Sequence, residues 1–200
     1  MSKNFPNWNE LYKFQTAESM PWYYGNLDTD LEQALNQLKI SNGKFLDIGT
    51  GPATQVIQLA KIGLTVVGSD ISENAIKRAN KIYWDRKDAS IRFIVDDILN
   101  SNIKDNEFDY IFDRGCFHVL SIDKRQKYIK TIKRILKENG IFFLKCFSEK
   151  EQGDDGPYRF SEDKIKEIFG KDFTIDSIKD TVYQGTLNPL PKALFVIMKN

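Results

Sequence analysis

Apolar runs alternate with amphipathic segments over most of the chain, at the spacing of strands and helices. Short apolar runs predict four buried strands, at residues 44–48, 64–69, 91–95 and 108–112. Helical patterns follow the first strand at 53–62 and the second from a cap at Ser72 to about Arg86. A helix at 123–137 then precedes a fifth strand at 140–147, which is apolar nearly throughout, as a central buried strand should be.

The two ends of the chain depart from this alternation. An aromatic-rich segment precedes the first strand and carries predicted helices at 7–14 and 28–38, the second capped by Asp28 or Thr29. A polar loop follows the fifth strand at 148–157. The remaining elements are a short helix at 162–169 and two strands, near 173–182 and 193–199.

Strictly alternating strands and helices indicate the α/β class, with a doubly wound and mostly parallel sheet. The two closing strands have no helix between them, so they predict an antiparallel pair at the edge. We therefore expect a Rossmann-like, seven-stranded sheet in three layers, built as one domain over residues 1–200. Residues 1–40 are expected to form a helical lid segment, 41–147 the core, and 148–200 a substrate loop with the closing strands.

The composition is that of an ordinary soluble globular protein, with 41% hydrophobic and 28% charged residues. Its 29 basic and 28 acidic side chains give no electrostatic reason to expect a nucleic-acid or membrane-surface partner. The start lacks the apolar core of a signal peptide, and no run approaches transmembrane length. Two cysteines, Cys116 and Cys146, are too few for a disulfide framework. We expect a cytoplasmic protein.

Acidic residues lie at the ends of four successive predicted strands, namely Asp47, Asp70, Asp97 and Asp113. In an open parallel sheet these ends converge on one crevice. Asp70 lies 19 residues beyond Gly51, near the spacing at which an acid reaches a ribose hydroxyl. A carboxylate at Asp97 is placed to accept from an adenine amino group. The pattern predicts a nucleoside site at this edge.

The glycine turn after the first strand narrows the choice of nucleoside. Gly49 and Gly51 flank Thr50, but Thr54 occupies the third glycine position of the dinucleotide fingerprint. Asp47 at the mouth of this turn would repel a pyrophosphate and attract a cation. A nucleoside with an ammonium and a sulfonium and without phosphate fits this loop, which predicts S-adenosylmethionine as the cofactor.

Residues 46–51, Leu-Asp-Ile-Gly-Thr-Gly, resemble the first motif of the class I S-adenosylmethionine-dependent methyltransferases. The resemblance covers about residues 38–147 and implies the fold of that family. It implies that Asp47, Gly49 and Gly51 cradle the methionyl end of the cofactor. It further implies that Asp70 holds the ribose and that Asp97 with Ile98 reads the adenine. The predicted cofactor site also takes in four further positions, Trp22, Thr50, Ile71 and Asp113.

Two flanking stretches resemble the thiopurine and halide/thiol methyltransferase-like branch of that superfamily. These are residues 21–25, Pro-Trp-Tyr-Tyr-Gly, and residues 156–161, Gly-Pro-Tyr-Arg-Phe-Ser. Such segments suit a lid, in which Trp22 covers the cofactor, excludes water and stabilises the sulfonium by cation–π attraction. The alternative is that these aromatic residues simply seal the open edge of the sheet.

The residues directly after the fourth strand are candidates for catalysis, because a methyl acceptor would approach there. His118, the only histidine, is placed to act as a base, with Asp113 beside it in the sequence. Arg159, in the predicted substrate loop, is a candidate for binding an anionic group. Cys116 with His118 gives too few ligands for a metal, so none is expected.

The primary functional prediction is methyl transfer to a small molecule with a soft nucleophile such as a thiol, which reacts without a strong base. A protein lysine methyltransferase is an alternative, because Asp113-Arg114-Gly115 is close to the Asp-Lys-Gly run of some resembling proteins. A cofactor-binding module without catalysis is a second alternative. A nicotinamide-dependent dehydrogenase would bind a dinucleotide tightly, and Asp47 argues against that.

Overall fold

All the strands join one seven-stranded sheet in the computed structural model, which describes residues 3–83 and 90–200. The strands are β1 Lys44–Ile48, β2 Thr65–Asp70, β3 Ile91–Val95, β4 Phe108–Arg114, β5 Leu136–Phe147, β6 Thr174–Val182 and β7 Lys192–Lys199. Their order is β3-β2-β1-β4-β5-β7-β6. The first five pair in parallel, and β7 pairs antiparallel with both β5 and β6.

Helices cover both faces of this sheet. They are α1 Trp8–Phe14, α2 Thr29–Gln37, α3 Thr54–Lys61, α4 Glu73–Tyr83, α5 Ile122–Ile135 and α6 Glu162–Phe169. Apolar residues of α2, α3 and α4 pack with Phe45 and Phe143 on one face. Those of α5 and α6 pack with Leu46, Ile111 and Phe142 on the other. The predicted three-layer, mostly parallel sheet with an antiparallel edge pair is confirmed.

Local signals place most helix starts where the sequence predicts them. The side chain of Asn7 accepts from two N–H groups of the first turn of α1, and Asp28 does the same for α2. The predicted end of α4 near Arg86 lies outside the described residues. The predictions of a helix to Lys137 and a strand from residue 140 were wrong at that junction. The chain passes from α5 directly into β5, and a register shift against β4 accommodates it.

The strand order sets the position of the functional crevice. From β1 the connections lead outward through β2 to β3 in one direction, and through β4 and β5 in the other. Ligands of open α/β sheets bind at such a switch point, outside the carboxyl ends of the strands. None of the helices in the described ranges combines the length and apolarity needed to cross a bilayer.

Candidate active site

The loop between β1 and α3 turns sharply at the carboxyl edge of the sheet. Gly49 and Gly51 have φ values of 66° and 47°, a left-handed conformation that glycine adopts without strain. The N–H of Thr50 donates to the carbonyl of Ser69 at 2.9 Å, which holds the loop against the end of β2. The helix α3 then starts at Thr54, and its N-cap residue Ala53 provides no side-chain cap. The N–H groups of Thr50, Gly51 and Ala53 are thus all used, within the loop or at the end of β2.

Asp47 brings a buried carboxylate to the base of this loop. The residue is 2% exposed, and its Oδ2 has no hydrogen-bond partner among the described residues. Thr50 Oγ1 is likewise buried without a partner in the described part of the chain. Burial raises the pKa of Asp47 to about 7. A buried carboxylate oxygen without a partner is costly unless a ligand satisfies it, and the matching ligand group is a cation.

Asp70, at the end of β2, supports the same loop. Its two oxygens accept from the N–H of Gly51 at 2.9 Å and of Ser72 at 2.8 Å. The residue is 6% exposed, and burial raises its pKa. Each carboxylate oxygen can accept a second hydrogen bond, so Asp70 retains capacity for a ligand hydroxyl. Ile71 follows it with its side chain about half exposed to solvent.

The carboxylate in the turn after β3 makes its hydrogen bonds within its own turn, unlike that of Asp70. Asp97 is half-buried, and its oxygens accept from the N–H of Leu99 at 2.9 Å and from the side-chain amide of Asn100 at 2.7 Å. Ile98 is buried in the core below it. The carboxylate of Asp97 therefore fixes its own turn. The structure places this turn at the carboxyl edge but adds no further contact between Asp97 and the glycine loop.

Tyr12 was missed as a site residue by the reasoning from sequence. It is 6% exposed, and its hydroxyl lies 2.3 Å from where a Cβ on Gly51 would stand. Trp22 packs with Tyr12, Met20 and Ala75, and its ring meets that of Trp8 edge-on at 5.9 Å. The segment before β1 therefore covers the glycine loop. The available signal was the density of aromatic residues ahead of the first strand.

From the sequence, Asp113 was expected to contact the cofactor or to act in catalysis. In the structure its carboxylate is instead occupied by contacts within the protein. It is fully buried, and one oxygen accepts from the N–H of Gly115 and Cys116, at 2.9 and 2.7 Å. The other oxygen accepts from the N–H of Phe117 at 2.9 Å and the hydroxyl of Tyr128 at 2.5 Å. These four donors use its whole accepting capacity. Asp113 thus anchors the turn after β4, and burial raises its pKa to about 6.

His118 lies in a short 3-10 helix at the end of that turn. Its ring is covered by Phe147, edge-on at 5.1 Å, and by Tyr183, stacked at 5.6 Å. The N–H of Phe147 donates to Nδ1 at 3.3 Å. Burial, reinforced by the charge of Arg114, lowers the pKa of His118 to about 3. A neutral imidazole with an engaged Nδ1 is a poor general base near neutral pH.

Arg159 folds back on its own loop. Its Nη2 donates to the carbonyls of Gln152 and Asp155 at 3.1 and 3.0 Å. Its Nε is buried without a partner among the described residues. The loop itself reaches the crevice, because the N–H of Tyr158 donates to the carbonyl of His118 at 2.8 Å. The structure brings the loop, but not the guanidinium of Arg159, into contact with the turn after β4.

A buried ion cluster lies next to the crevice and was also missed from the sequence. We define it as Asp28, Asp30, Arg114, Lys145 and Gln184. The ammonium of Lys145 is fully buried and donates to Asp28 at 2.8 and 3.0 Å, to Asp30 at 2.7 Å and to Gln184 at 2.6 Å. Arg114 Nε donates to Asp28 at 3.0 Å. Two cations and two carboxylates thus satisfy one another out of water.

This ion cluster ties the segment before β1 to the loop between β6 and β7. Arg114 donates to the carbonyl of Trp22 at 3.0 Å and to that of Gln184. The N–H of Thr186 donates to the carbonyl of Pro21 at 3.0 Å. The aromatic lid predicted around Trp22 is therefore anchored at the end of β4 and at the loop that follows β6. Within the described ranges, no group of three or more potential ligands could hold a metal ion.

Comparison with known proteins gives this geometry a family context. A family model described as a methyltransferase domain matches residues 39–182. A 2-heptyl-1-hydroxyquinolin-4(1H)-one methyltransferase of Mycobacteroides abscessus is 31% identical over 166 residues, covering 82% of this chain and 73% of that protein. Human EEF1A lysine methyltransferase 2 is 34% identical over 119 residues, covering 56% of this chain and half of that protein.

A solved structure supports the same fold over almost the whole chain. It comes from work on the conversion of a disulfide bond into a thioacetal group during echinomycin biosynthesis. It superposes with a TM-score of 0.82, covers 96% of this chain and 91% of its own, and is 21% identical. At that identity the likeness concerns the fold alone.

Proposed function

We propose that this chain, which belongs to the class I S-adenosylmethionine-dependent methyltransferases, methylates a small molecule. Its methyl acceptor carries a thiol or another soft or readily ionised nucleophile. The observation that carries this proposal is the state of the turn after β4. His118 is neutral with Nδ1 engaged, and the oxygens of Asp113 are fully used. Neither is free to take a proton, so the acceptor must arrive nucleophilic.

The cofactor fits the residues at the carboxyl edge. The unpartnered Oδ2 of Asp47 suits the ammonium of the methionyl group, and Asp70 retains capacity for ribose hydroxyls. Ile71 offers an apolar wall for the adenine, with Asp97 and Ile98 beside it. The glycine loop and Thr50 supply polar groups between the methionyl end and the adenine end of the cofactor. When bound, the cofactor supplies a methyl group on a sulfonium, which is a good leaving group.

The protein then contributes position and exclusion of water. The acceptor's lone pair must line up with the methyl carbon and the departing sulfur, so orientation supplies much of the rate. The lid around Trp22 is held over the glycine loop by Tyr12 and by Arg114. A thiol is a few per cent thiolate near neutral pH and is intrinsically nucleophilic. Such an acceptor requires no base from the protein.

Similarity favours a small acceptor over a protein. The relative with the wider match, over 82% of this chain, is named for a small heterocyclic N-hydroxy compound. Such a hydroxyl ionises far more readily than an alcohol, which suits a site without a base. The lysine methyltransferase matches a shorter region, 56% of this chain. Arg114, the middle residue of the turn that suggested a lysine substrate, is committed to the ion cluster.

Protein lysine methylation is the second candidate, supported by the 34% identity to the human lysine methyltransferase. The two candidates differ in where label from the cofactor appears. Transfer of tritium from S-adenosylmethionine to lysate proteins would favour this candidate. Label confined to the small-molecule fraction would favour the first.

The small-molecule proposal predicts a pH dependence set by the acceptor. With S-adenosylmethionine saturating at every pH, so that the ionisation of Asp47 does not enter, we expect methyl transfer to aromatic and aliphatic thiols and to 2-heptyl-1-hydroxyquinolin-4(1H)-one, with kcat/KM rising until each acceptor ionises and then levelling. The break should move from one acceptor to another, because the ionising group belongs to the acceptor. Mass spectrometry of the product over a pH series measures this. A break at one fixed pH for all acceptors, or no transfer to any thiol, sulfide, selenium compound or N-hydroxy compound, would exclude the proposal.

A further inference from the structure

We propose that His118 acts as a neutral hydrogen-bond donor, through Nε2–H, to an oxygen or sulfur atom of the methyl acceptor. This inference rests on the proposed function, because it concerns the acceptor of that same reaction. It replaces the role of general base that the sequence suggested. The supporting observations are the bond at Nδ1, the packing of the ring and the position of Nε2 beside Gly115.

The bond from the backbone fixes the tautomer of the ring. Nδ1 accepts from the N–H of Phe147 at 3.3 Å, which requires a lone pair on Nδ1. In a neutral imidazole one nitrogen accepts and the other carries the proton, so the proton lies on Nε2. An imidazolium would direct an N–H at the N–H of Phe147. The same lone pair is unavailable for a proton from the acceptor, so this geometry by itself argues against a base.

The environment of the ring keeps it neutral. Phe147 and Tyr183 cover the ring, and the residue is 5% exposed. Arg114 is the charged group that faces this packing, with its guanidinium 4.5 Å from the centre of the Tyr183 ring. The titratable hydroxyl of Tyr183 donates to the carbonyl of Arg114 at 2.7 Å. Low polarity and a nearby positive charge both disfavour a second proton on His118.

Nε2 is the ring nitrogen of His118 that remains available to a ligand. None of the hydrogen bonds among the described residues uses Nε2, and this atom is not one of the fully buried polar atoms that lack a partner, so it keeps some exposure although the residue as a whole is 5% exposed. It lies 3.2 Å from where a Cβ on Gly115 would stand. Gly115 and Cys116 are half-buried, and the thiol of Cys116 lies 3.8 Å from the corresponding position on Gly49. Nε2 and the hydroxyl of Tyr183, which lies 2.7 Å from the same position on Gly115, therefore both face the turn after β4, and that turn contacts the glycine loop through Cys116.

The donor restricts the class of acceptor. An acceptor that places an anionic oxygen, a thiolate or a ring carbonyl at Nε2–H is oriented by a charge-assisted or neutral hydrogen bond. An acceptor that places only apolar atoms there leaves the donor unpaired. Sites built to hydrogen-bond a substrate atom reject analogues that lack it, because the donor stays unsatisfied. His118 thus selects acceptors that carry a hydrogen-bond-accepting atom at or next to the reacting atom.

Because His118 is the only histidine, its ring can be observed directly in the full-length chain. Long-range ¹H–¹⁵N correlation spectra of the ¹⁵N-labelled protein should show one protonated and one unprotonated ring nitrogen, unchanged from about pH 5.5 to 8.5, a range that extends to both sides of the usual histidine pKa. A ring that titrates within this range would overturn the proposal. This readout needs no acceptor. It therefore decides on His118 separately from the proposed function, which fails instead if the wild type methylates no small molecule.

Two variants distinguish hydrogen-bond donation by Nε2 of His118 from the contribution of its ring to packing. His118→Phe keeps a ring but removes the donor, and His118→Gln keeps a donor near the position of Nε2. With 2-heptyl-1-hydroxyquinolin-4(1H)-one as probe, we expect His118→Phe to lower kcat/KM by about 10–100-fold and His118→Gln by several-fold. Both should bind S-adenosylhomocysteine within about twofold of the wild type, which shows that they fold. A His118→Phe variant as active as the wild type would overturn the proposal.

Discussion

Replacing Asp47 with asparagine is expected to weaken the binding of S-adenosylhomocysteine by about 100-fold or more. The substitution removes the buried charge that would pair with the ammonium of the ligand, and it keeps nearly the same shape. Breaking a buried, hydrogen-bonded charge pair costs about 2–5 kcal/mol, which corresponds to roughly 30-fold to several thousand-fold in affinity. Isothermal titration calorimetry at pH 8 measures the change.

The Asp47→Asn variant should bind the ligand more weakly but should be at least as stable as the wild type. Burial raises the pKa of this carboxyl from 3.8 to about 7, so the fold loses stability as the pH rises through this range, and the full cost of the ionised form is present at pH 8. Asparagine removes that cost, and the free energy of unfolding at pH 8 should stay the same or rise. Loss of binding in a protein at least as stable as the wild type cannot be attributed to misfolding.

Asp109→Asn is the matched control for Asp47→Asn. It makes the same change of charge at the start of β4, at the other edge of the sheet, where Asp109 bonds to Lys44 and Lys137. Binding should be unchanged there. Equal affinities for Asp47→Asn and the wild type would contradict the assignment of the ammonium to Asp47.

Replacing Lys145 with methionine is expected to lower the free energy of unfolding by about 3–5 kcal/mol. Its ammonium is fully buried and donates to both Asp28 and Asp30. Removing one partner of a buried ion group leaves the other charges without compensation. Burial alone would raise the pKa of Asp30, but hydrogen bonds from Lys145 and Thr181 hold it below its usual value. Urea denaturation at pH 7 measures the loss.

Lys179 offers a matched control, because it also contacts Asp30. Its ammonium lies 3.3 Å from that carboxylate, but its side chain is 57% exposed. An exposed ion pair of this kind contributes about 0–1 kcal/mol, so Lys179→Met should have a small effect. Similar losses for the two lysines would show that the ion cluster does not stabilise the fold as we describe.

The sequence predicted those parts of the fold that depend on local pattern. Periodic apolar runs predicted the strands and helices, and Asp28 caps α2 as expected. The two closing strands pair as predicted. The insertion of β7 between β5 and β6 follows from pairing along β5, over residues far apart in the chain, and no local pattern encodes it.

In the candidate site, too, the local pattern predicted some features, whereas others depend on contacts between residues far apart in the chain. Asp47 and Asp70 lie at the carboxyl ends of their strands, and topology alone brings them to one edge. Asp113 obeys the same rule, yet its capacity is used by Tyr128, 15 residues away, and by the turn it anchors. The charge partners of Lys145 lie more than 100 residues away in the sequence. Such long-range contacts decide which polar residues are free for a ligand, and they appear only in three dimensions.

The measurement that tests the central claim most directly is the number of protons released when S-adenosylhomocysteine binds. In the free protein Asp47 is mostly protonated at pH 6, because its pKa is about 7, and pairing with an ammonium requires the carboxylate. Calorimetry at pH 6 in buffers of different ionisation enthalpy should therefore show release of close to one proton, falling towards zero at pH 8.5. Asp47→Asn should lack this release. Tight binding by the wild type without proton release at pH 6, or the same release from Asp47→Asn, would contradict the account.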